Sequence, residues 1–287
     1  MASLQNIRRR IDSVKSTQKV TKAMKMVSAS KLRRAQEAAE AARPYADKMA
    51  EMFAGLSIDP EQATNPLLMA RSGKKAAVVV VTPDRGLCGG LNANTIKLAH
   101  QQVRELEADG HHVSVVGIGR KGRDYFRRRE FDIPQEWTGL LASASYGDAE
   151  MVGKYLVDSF LAESFDKVVL VYARFKSVIS QEPEAQVLLP ISAQGGDEGS
   201  DQSFMFEPSD EEVLGTLLPK YIETRLFQAL LESAASEHGA RMTAMDAASR
   251  NAGEVIDKLT LVYNRSRQEA VTAELLDIIG GVEALNA

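Results

Sequence analysis

After Pro219 the chain contains no proline as far as Ala287, and a stretch of that length without a helix breaker constrains the fold more than any other feature. As one helix, Lys220 to Ile279 would extend about 90 Å at 1.5 Å per residue, more than the diameter of an ordinary domain. Alternating steps of three and four from Leu217 to Asp277 visit 18 positions, and 12 of them are apolar, including Leu231, Met242, Met245, Ile256, Leu259 and Tyr263. A seam sustained that far predicts a coiled coil. Its many alanines, with Gln228, His238, Ser249 and Ser266 in line, bury little area per turn, so the rod is expected to be held in place by other proteins. Ser209-Asp210-Glu211-Glu212 reads as the capping box that starts it.

The other end of the chain mirrors this one. The first 42 residues contain neither proline nor glycine, and Pro44 is the first break. Leu4, Ile7, Ile11 and Val14 make a three-four seam; Gln18, Thr21, Lys25 and Ser28 interrupt it, and Val20, Met24 and Val27 shift the stripe sideways before Leu32, Ala35, Ala39 and Ala42 resume it. Residues 1–48 carry 12 Lys/Arg against 4 Asp/Glu, whereas residues 210–287 carry 7 against 13. Two seamed helices of opposite charge most simply pair as an antiparallel coiled coil. An Arg-rich, Ser-rich start also suits an organellar transit peptide or a nucleic-acid-binding helix, but the apolar seam runs on through the charges without a cleavage-like break.

Between the helices the pattern changes to that of a small α/β domain with a mainly parallel sheet. Ala76 to Val81 is a buried-strand run, followed by the turn Thr82 to Gly90, a helix from Leu91 to about Ala108, a strand from His112 to Ile118 and a helix through Tyr125 and Arg129. After Pro134 a less regular stretch holds Trp137, the only tryptophan. A helix near Ala149 to Glu163, a strand from Lys167 to Tyr172 and a hairpin partner from Ala185 to Ile191, beyond Gln181-Glu182-Pro183, complete it. The Gly/Asp/Ser-rich stretch that follows reads as a mobile loop. The expected organisation is therefore an N-terminal coiled-coil helix over 1–60, a central Rossmann-like α/β domain over 74–193, a mobile loop over 194–208 and a C-terminal coiled-coil helix over 209–287.

Chemistry is sparse. Gly117-Ile118-Gly119-Arg120-Lys121-Gly122 is a literal G-x-G-x-x-G between strand and helix, the context of a dinucleotide site. It sits in the second strand–helix unit, however, and no acidic residue clearly ends a following strand about 20 residues on. The Arg85 to Gly90 turn lacks the Gly-Lys-Ser/Thr of a P-loop, and its glycines are expected to let the backbone turn tightly. His100, His111, His112 and His238 lack metal-ligand spacing, and the single cysteine, Cys88, permits no internal disulfide. No triad or paired-carboxylate pattern occurs, so the residues imply no catalytic centre, no cofactor and no metal. No run of 18 apolar residues predicts a transmembrane helix.

Three stretches carry a family resemblance: Ile7 to Ile11 with Thr17 to Lys31; Asp84-Arg85-Gly86-Leu87-Cys88-Gly89-Gly90-Leu91-Asn92; and Ala240 to Met245 with Val262 to Gln268 and Val271 to Asp277. Along essentially its whole length the chain resembles the gamma subunits of rotary F-type ATP synthases. It departs from the family's closing Gly-Ala with Gly280-Gly281, which is expected to loosen the last turn at about 1 kcal/mol per helical glycine. The resemblance implies a non-catalytic central-stalk rotor that couples proton flow to conformational cycling of the catalytic beta subunits in ATP synthesis. Its implied partners are the ring of alpha and beta subunits, the epsilon subunit and the membrane c-ring, at the cytoplasmic face of the bacterial inner membrane, as a peripheral protein without direct membrane insertion or nucleic acid. It further implies that Met24 and its basic neighbours face an acidic loop of beta, and that Arg241, Gln268, Thr272 and Glu274 lie at contacts between the terminal helices and with the ring. The alternatives from the residues are an NAD(P)-binding α/β oxidoreductase with a coiled-coil oligomerisation arm, and a coiled-coil nucleic-acid binder.

Overall fold

The computed structural model describes residues 4–54, 65–191 and 210–286. The expected mobile loop over 194–208 and the start of the capping box at Ser209 lie outside the described residues. Five α-helices and five strands follow one another as α1 (Leu4–Ala54), β1 (Lys75–Val81), α2 (Leu91–Ala108), β2 (His112–Ile118), α3 (Arg120–Arg127), β3 (Glu136–Trp137), α4 (Tyr146–Leu161), β4 (Lys167–Phe175), β5 (Gln181–Leu189) and α5 (Asp210–Asn286). The chain forms two compact units, one of Met1–Val27 with Met242–Ala287 and one of Ser28–Arg241. The division falls inside both terminal helices, so residues 28–54 and 210–241 belong to the unit that holds the sheet.

That sheet has the order β3-β2-β1-β4-β5, parallel throughout except for the antiparallel β4–β5 pair. Its inner strands are near-continuous apolar runs, Ala76–Val81 in β1 and Val168–Val171 in β4, because both faces are covered. Along β1, Ala77, Val79 and Val81 join a core with α4 and with Leu218, Ile222, Leu226 and Leu230 of α5, while Ala76, Val78 and Val80 join a second core with α2 and α3. Period-two alternation thus divides one strand between two layers of helices. Two local features add to the expected elements: Glu136–Trp137 forms a short parallel strand on β2, and Ser145 with Asp148, at the spacing of Ser209 and Glu212, forms a capping box on α4. The hairpin partner expected over Ala185 to Ile191 begins earlier, at Gln181, and ends at Leu189, and the chain reverses at Lys176–Ser180. Pro183 has no N–H to give, and an edge strand bonded to β4 alone can do without one.

Pro44 and Pro219 both lie inside helices. Proline in a helix interior costs about 3 kcal/mol, so burial on both sides must hold these turns together. Beyond Pro44, Met49 is buried in the core with α4; around Pro219, Leu218 and Ile222 are completely buried. Helix α5 also continues through Gly280-Gly281 to Asn286.

Within the sheet unit α5 departs from a coiled-coil pattern. Every residue from Ser233 to Arg241 is buried, with no outward stripe. The small residues that made the seam look unusual are here because the helix is enclosed all round: a Cβ on Gly239 would stand 3.2 Å from the Phe175 ring, and Ser236 Oγ donates to the Ala173 carbonyl at 3.0 Å. His238 shares this enclosure. Its Nδ1 is buried and has no hydrogen-bond partner among the described residues. Burial first, then nearby Arg241 and Lys31, lowers its pKa to about 4. An unfolded histidine titrates near 6.5, so between about pH 6.5 and 4 the unfolded chain binds the extra proton. Stability is therefore full above that window and falls as the pH falls through it, by about 3 kcal/mol in all. Urea titrations followed by Trp137 fluorescence should show this decline in the native chain and a shallower one in His238→Gln; parallel curves would exclude His238 as its source.

Candidate functional surfaces

The G-x-G-x-x-G segment is where a cofactor would sit, and the first donors of α3 are already taken there. The Arg120 N–H donates to Asp84 Oδ1 at 3.0 Å, the Lys121 N–H to the Pro83 carbonyl at 3.3 Å and the Gly122 N–H to Thr82 Oγ1 at 2.8 Å. Asp84 Oδ2 also accepts from the Gly139 N–H at 2.8 Å. A helix N-terminus attracts anions through these groups, and Asp84 supplies the anion from within the chain. Gly119, at φ +87°, approaches so closely that a Cβ there would lie 1.7 Å from the Thr82 carbonyl oxygen. The glycines let two loops meet, and no phosphate is needed to satisfy them.

The second candidate is the loop after β1. Leu87 adopts a left-handed backbone (φ 63°) that presents its side chain to solvent, 64% exposed, while Cys88 beside it is buried. Burial raises the Cys88 thiol pKa, with Arg241 pulling the other way. Arg241 is itself buried, ion-paired with Glu237 at 2.7 Å, and donates from Nη2 to the Gly86 carbonyl at 3.3 Å. These bonds tie the loop to α5. Their existence was invisible in the sequence, because Gly86 and Arg241 are far apart along the chain.

The unit of the two chain ends is an antiparallel helix pair. Lys25 Nζ meets Asp246 Oδ1 at 2.5 Å, and Gln18 Nε2 donates to the Ser249 carbonyl at 3.3 Å, so the pairing runs in opposite directions along the two helices. The hydrogen bond from Lys25 holds the Asp246 carboxyl below its ordinary range. Close approach is possible because Gly253 lies opposite Gln18: a Cβ there would stand 3.2 Å from Gln18 Nε2. Ile7, Ile11, Thr21, Met245 and Ala252 are buried between the helices. The expected sideways shift of the stripe does not occur. Gln18, Thr21 and Lys25 stay in the seam, because its three-four spacing is set by helix geometry, and their polar groups bond locally or across it. Thr21, for instance, gives its hydroxyl to the Gln18 carbonyl at 3.0 Å. Val20, Met26 and Val27 are left outside, more than half exposed, among Lys19 and Lys22.

Of the residues singled out by resemblance, Met24 is half-buried beside that exposed patch. Arg241 is not among the bonds between the helix pair: its hydrogen bond and ion pair go to Gly86 and Glu237. Gln268, Thr272 and Glu274 are all solvent-exposed, the last two on a part of α5 where every residue from Val271 to Val282 is exposed. Val271, Leu275, Leu276, Ile278, Ile279 and Val282 there are each half or more exposed. An apolar surface of that kind marks an interaction site. Among the described residues no three His, Cys, Asp or Glu side chains cluster as a metal site, and no helix is long and apolar enough to cross a membrane.

A family model described as ATP synthase matches residues 3–285. Over 286 residues the chain is 50% identical to the ATP synthase gamma chain of Geobacter metallireducens, covering 99% of each. Among solved structures, a chain of the central stalk and c-ring of the Tetrahymena thermophila mitochondrial ATP synthase aligns with a TM-score of 0.60 at 25% identity, over 80% of this chain and 99% of that one. A chain of the Euglena gracilis mitochondrial ATP synthase aligns with a TM-score of 0.68 over 98% of this chain and 94% of that one, a likeness of fold at 20% identity.

Proposed function

The chain belongs to the ATP synthase gamma-chain family, and from that premise we propose how its surfaces serve a rotary mechanism. It is a central-stalk rotor subunit of an ATP synthase and does not itself carry the catalytic site. Rotation driven by proton flow through the membrane sector brings the catalytic beta subunits successively through substrate binding, synthesis and release. The helix pair of the chain ends is the part enclosed by the alternating alpha and beta subunits, and the α/β unit is the part that meets the epsilon subunit and the c-ring. The complex would hold the chain peripherally at the cytoplasmic face of the bacterial inner membrane.

The observation that carries this reading is the bare end of α5. Six aliphatic side chains between Val271 and Val282 are left half or more exposed. Each would be worth about 1.5–3 kcal/mol if fully buried, so a surrounding apolar sleeve fits better than water. Met24 beside exposed Val20, Met26 and Val27, with Lys19 and Lys22 among them, suits a partner loop that is acidic with an apolar edge.

Gln268 and Thr272, four residues apart on one exposed face, then bond to the ring in some rotational positions and not in others. Each neutral hydrogen bond contributes about 0.5–1.5 kcal/mol net, more where a buried partner is stranded. Gln268→Leu with Thr272→Val keeps approximate size. The double variant should assemble and keep its helicity by circular dichroism, yet lose ATP turnover in the complex several-fold. Native turnover in a properly assembled complex would mean that this face is merely solvated.

A further inference from the structure

The α/β unit contains a cavity of about 560 Å³ bordered by residues 36–46 of α1, residues 224–235 of α5, Tyr146 at the start of α4 and Phe175 at the end of β4. It exists because α1 presents Ala39, Ala42 and Ala46 there, side chains too short to reach Phe227 and Leu231. Its size and mainly apolar walls are those of a small-molecule pocket, in which a few polar groups set orientation.

Several polar groups on its lining are already engaged. Tyr146 donates its hydroxyl to Glu223 Oε2 at 2.8 Å, Thr224 donates to the Lys220 carbonyl at 2.7 Å and Lys176 pairs with Glu182 at 2.5 Å. Glu232 is different. Its Oε1 accepts from Gln228 Nε2 at 3.1 Å and the Phe175 backbone N–H also faces the carboxylate, but Oε2 is buried and makes no hydrogen bond among the described residues. The cationic side chain beside it on β4, Arg174, is bonded to Glu184 at 3.1 Å. Burial raises the Glu232 pKa, the signature of a carboxylate short of solvent. An unpaired carboxylate oxygen out of water is expensive, and the group that best relieves it is a positively charged donor.

We propose that this cavity is a binding site for a small amphiphilic amine, with its ammonium group on Glu232 Oε2 and its aromatic or aliphatic body against Phe227, Leu231 and the alanines of α1. The carboxylate supplies the charge preference and the alanines supply the room. This site does not depend on the rotor assignment, because all of it lies within one chain and one unit.

The test uses the full chain and two matched probes, 2-(1-naphthyl)ethylamine and the neutral 2-(1-naphthyl)ethanol, titrated by calorimetry at low salt. The amine should bind saturably, one per chain, and the alcohol at least about tenfold more weakly, the factor expected when a charge-assisted hydrogen bond becomes a neutral one. Glu232→Gln keeps the shape of the side chain and should weaken the amine by a similar factor, with its Trp137 emission and circular dichroism unchanged. Ala42→Leu, which fills the cavity without altering charge, should weaken both probes together and guards against misfolding of the first variant. Equal affinity for the two probes, undiminished amine binding in either folded variant, or no saturable binding to the native chain would overturn the proposal.

Discussion

Replacing Arg241 by methionine should lower the stability of the α/β unit by about 3–5 kcal/mol, the range for removing one partner of a buried ion pair. The size follows from what is left behind. Glu237 stays buried with its carboxylate unpaired, and the Gly86 carbonyl loses its donor, so the loop that carries Leu87 and Cys88 is left to the apolar packing of Cys88 with Leu91, Ala173 and Ala240. Methionine approximately preserves the aliphatic stem, so packing alone contributes less. The double variant Arg241→Met with Glu237→Gln removes both charges and should recover most of the loss, since well-packed neutral groups replace a buried pair at little cost. Urea unfolding followed by Trp137, the only tryptophan and a residue of this unit, reads both variants. Additive losses in the double variant would mean that the two side chains act separately.

Gly119→Ala should be more damaging still, beyond about 4 kcal/mol and enough to prevent the α/β unit from folding. Two costs coincide there. The backbone is at φ +87°, ψ 152°, a region open essentially to glycine alone that costs any other residue about 1–3 kcal/mol, and the new Cβ would stand 1.7 Å from the Thr82 carbonyl oxygen. Gly139 is the milder case: it lies in the left-handed region (φ +86°, ψ −12°), and an added Cβ there meets nothing within 4 Å. Gly139→Ala should therefore cost only about 1–2 kcal/mol and leave a folded, soluble chain. Similar losses at both positions would show that neither the contact with the β1 loop nor the glycine-only backbone sets Gly119 apart.

Strand β1 was legible because parallel strands covered on both faces are near-continuous apolar runs, and Ala76 to Val81 is such a run. The helix pair was legible because three-four spacing survives even where polar residues occupy it. Reading Gln18, Thr21 and Lys25 as an interruption erred by treating hydrophobicity as the determinant, whereas helix geometry kept them in the seam and local or cross-helix hydrogen bonds satisfied them. The G-x-G-x-x-G segment was ambiguous for a different reason: whether its donors face a phosphate or Asp84 depends on a contact between residues some 36 apart. Arg241 illustrates the same limit, since its carbonyl partner belongs to a loop that only the fold brings near. The edge position of β5, which makes Pro183 tolerable, is likewise a property of the sheet order. The two prolines inside helices depend on burial beyond each, at Met49 past Pro44 and at Ile222 past Pro219.

The rotor assignment is tested most directly by watching the chain turn. Glu107, exposed on α2, can be changed to cysteine as the handle for a bead, while buried Cys88 does not compete for the label. With the chain assembled into an alpha–beta ring fixed to a surface, addition of ATP should produce sustained rotation of the bead in one direction, ceasing when ATP is removed. A ring that hydrolyses ATP at its full rate while the bead shows only Brownian motion would contradict the role of this chain as the rotor.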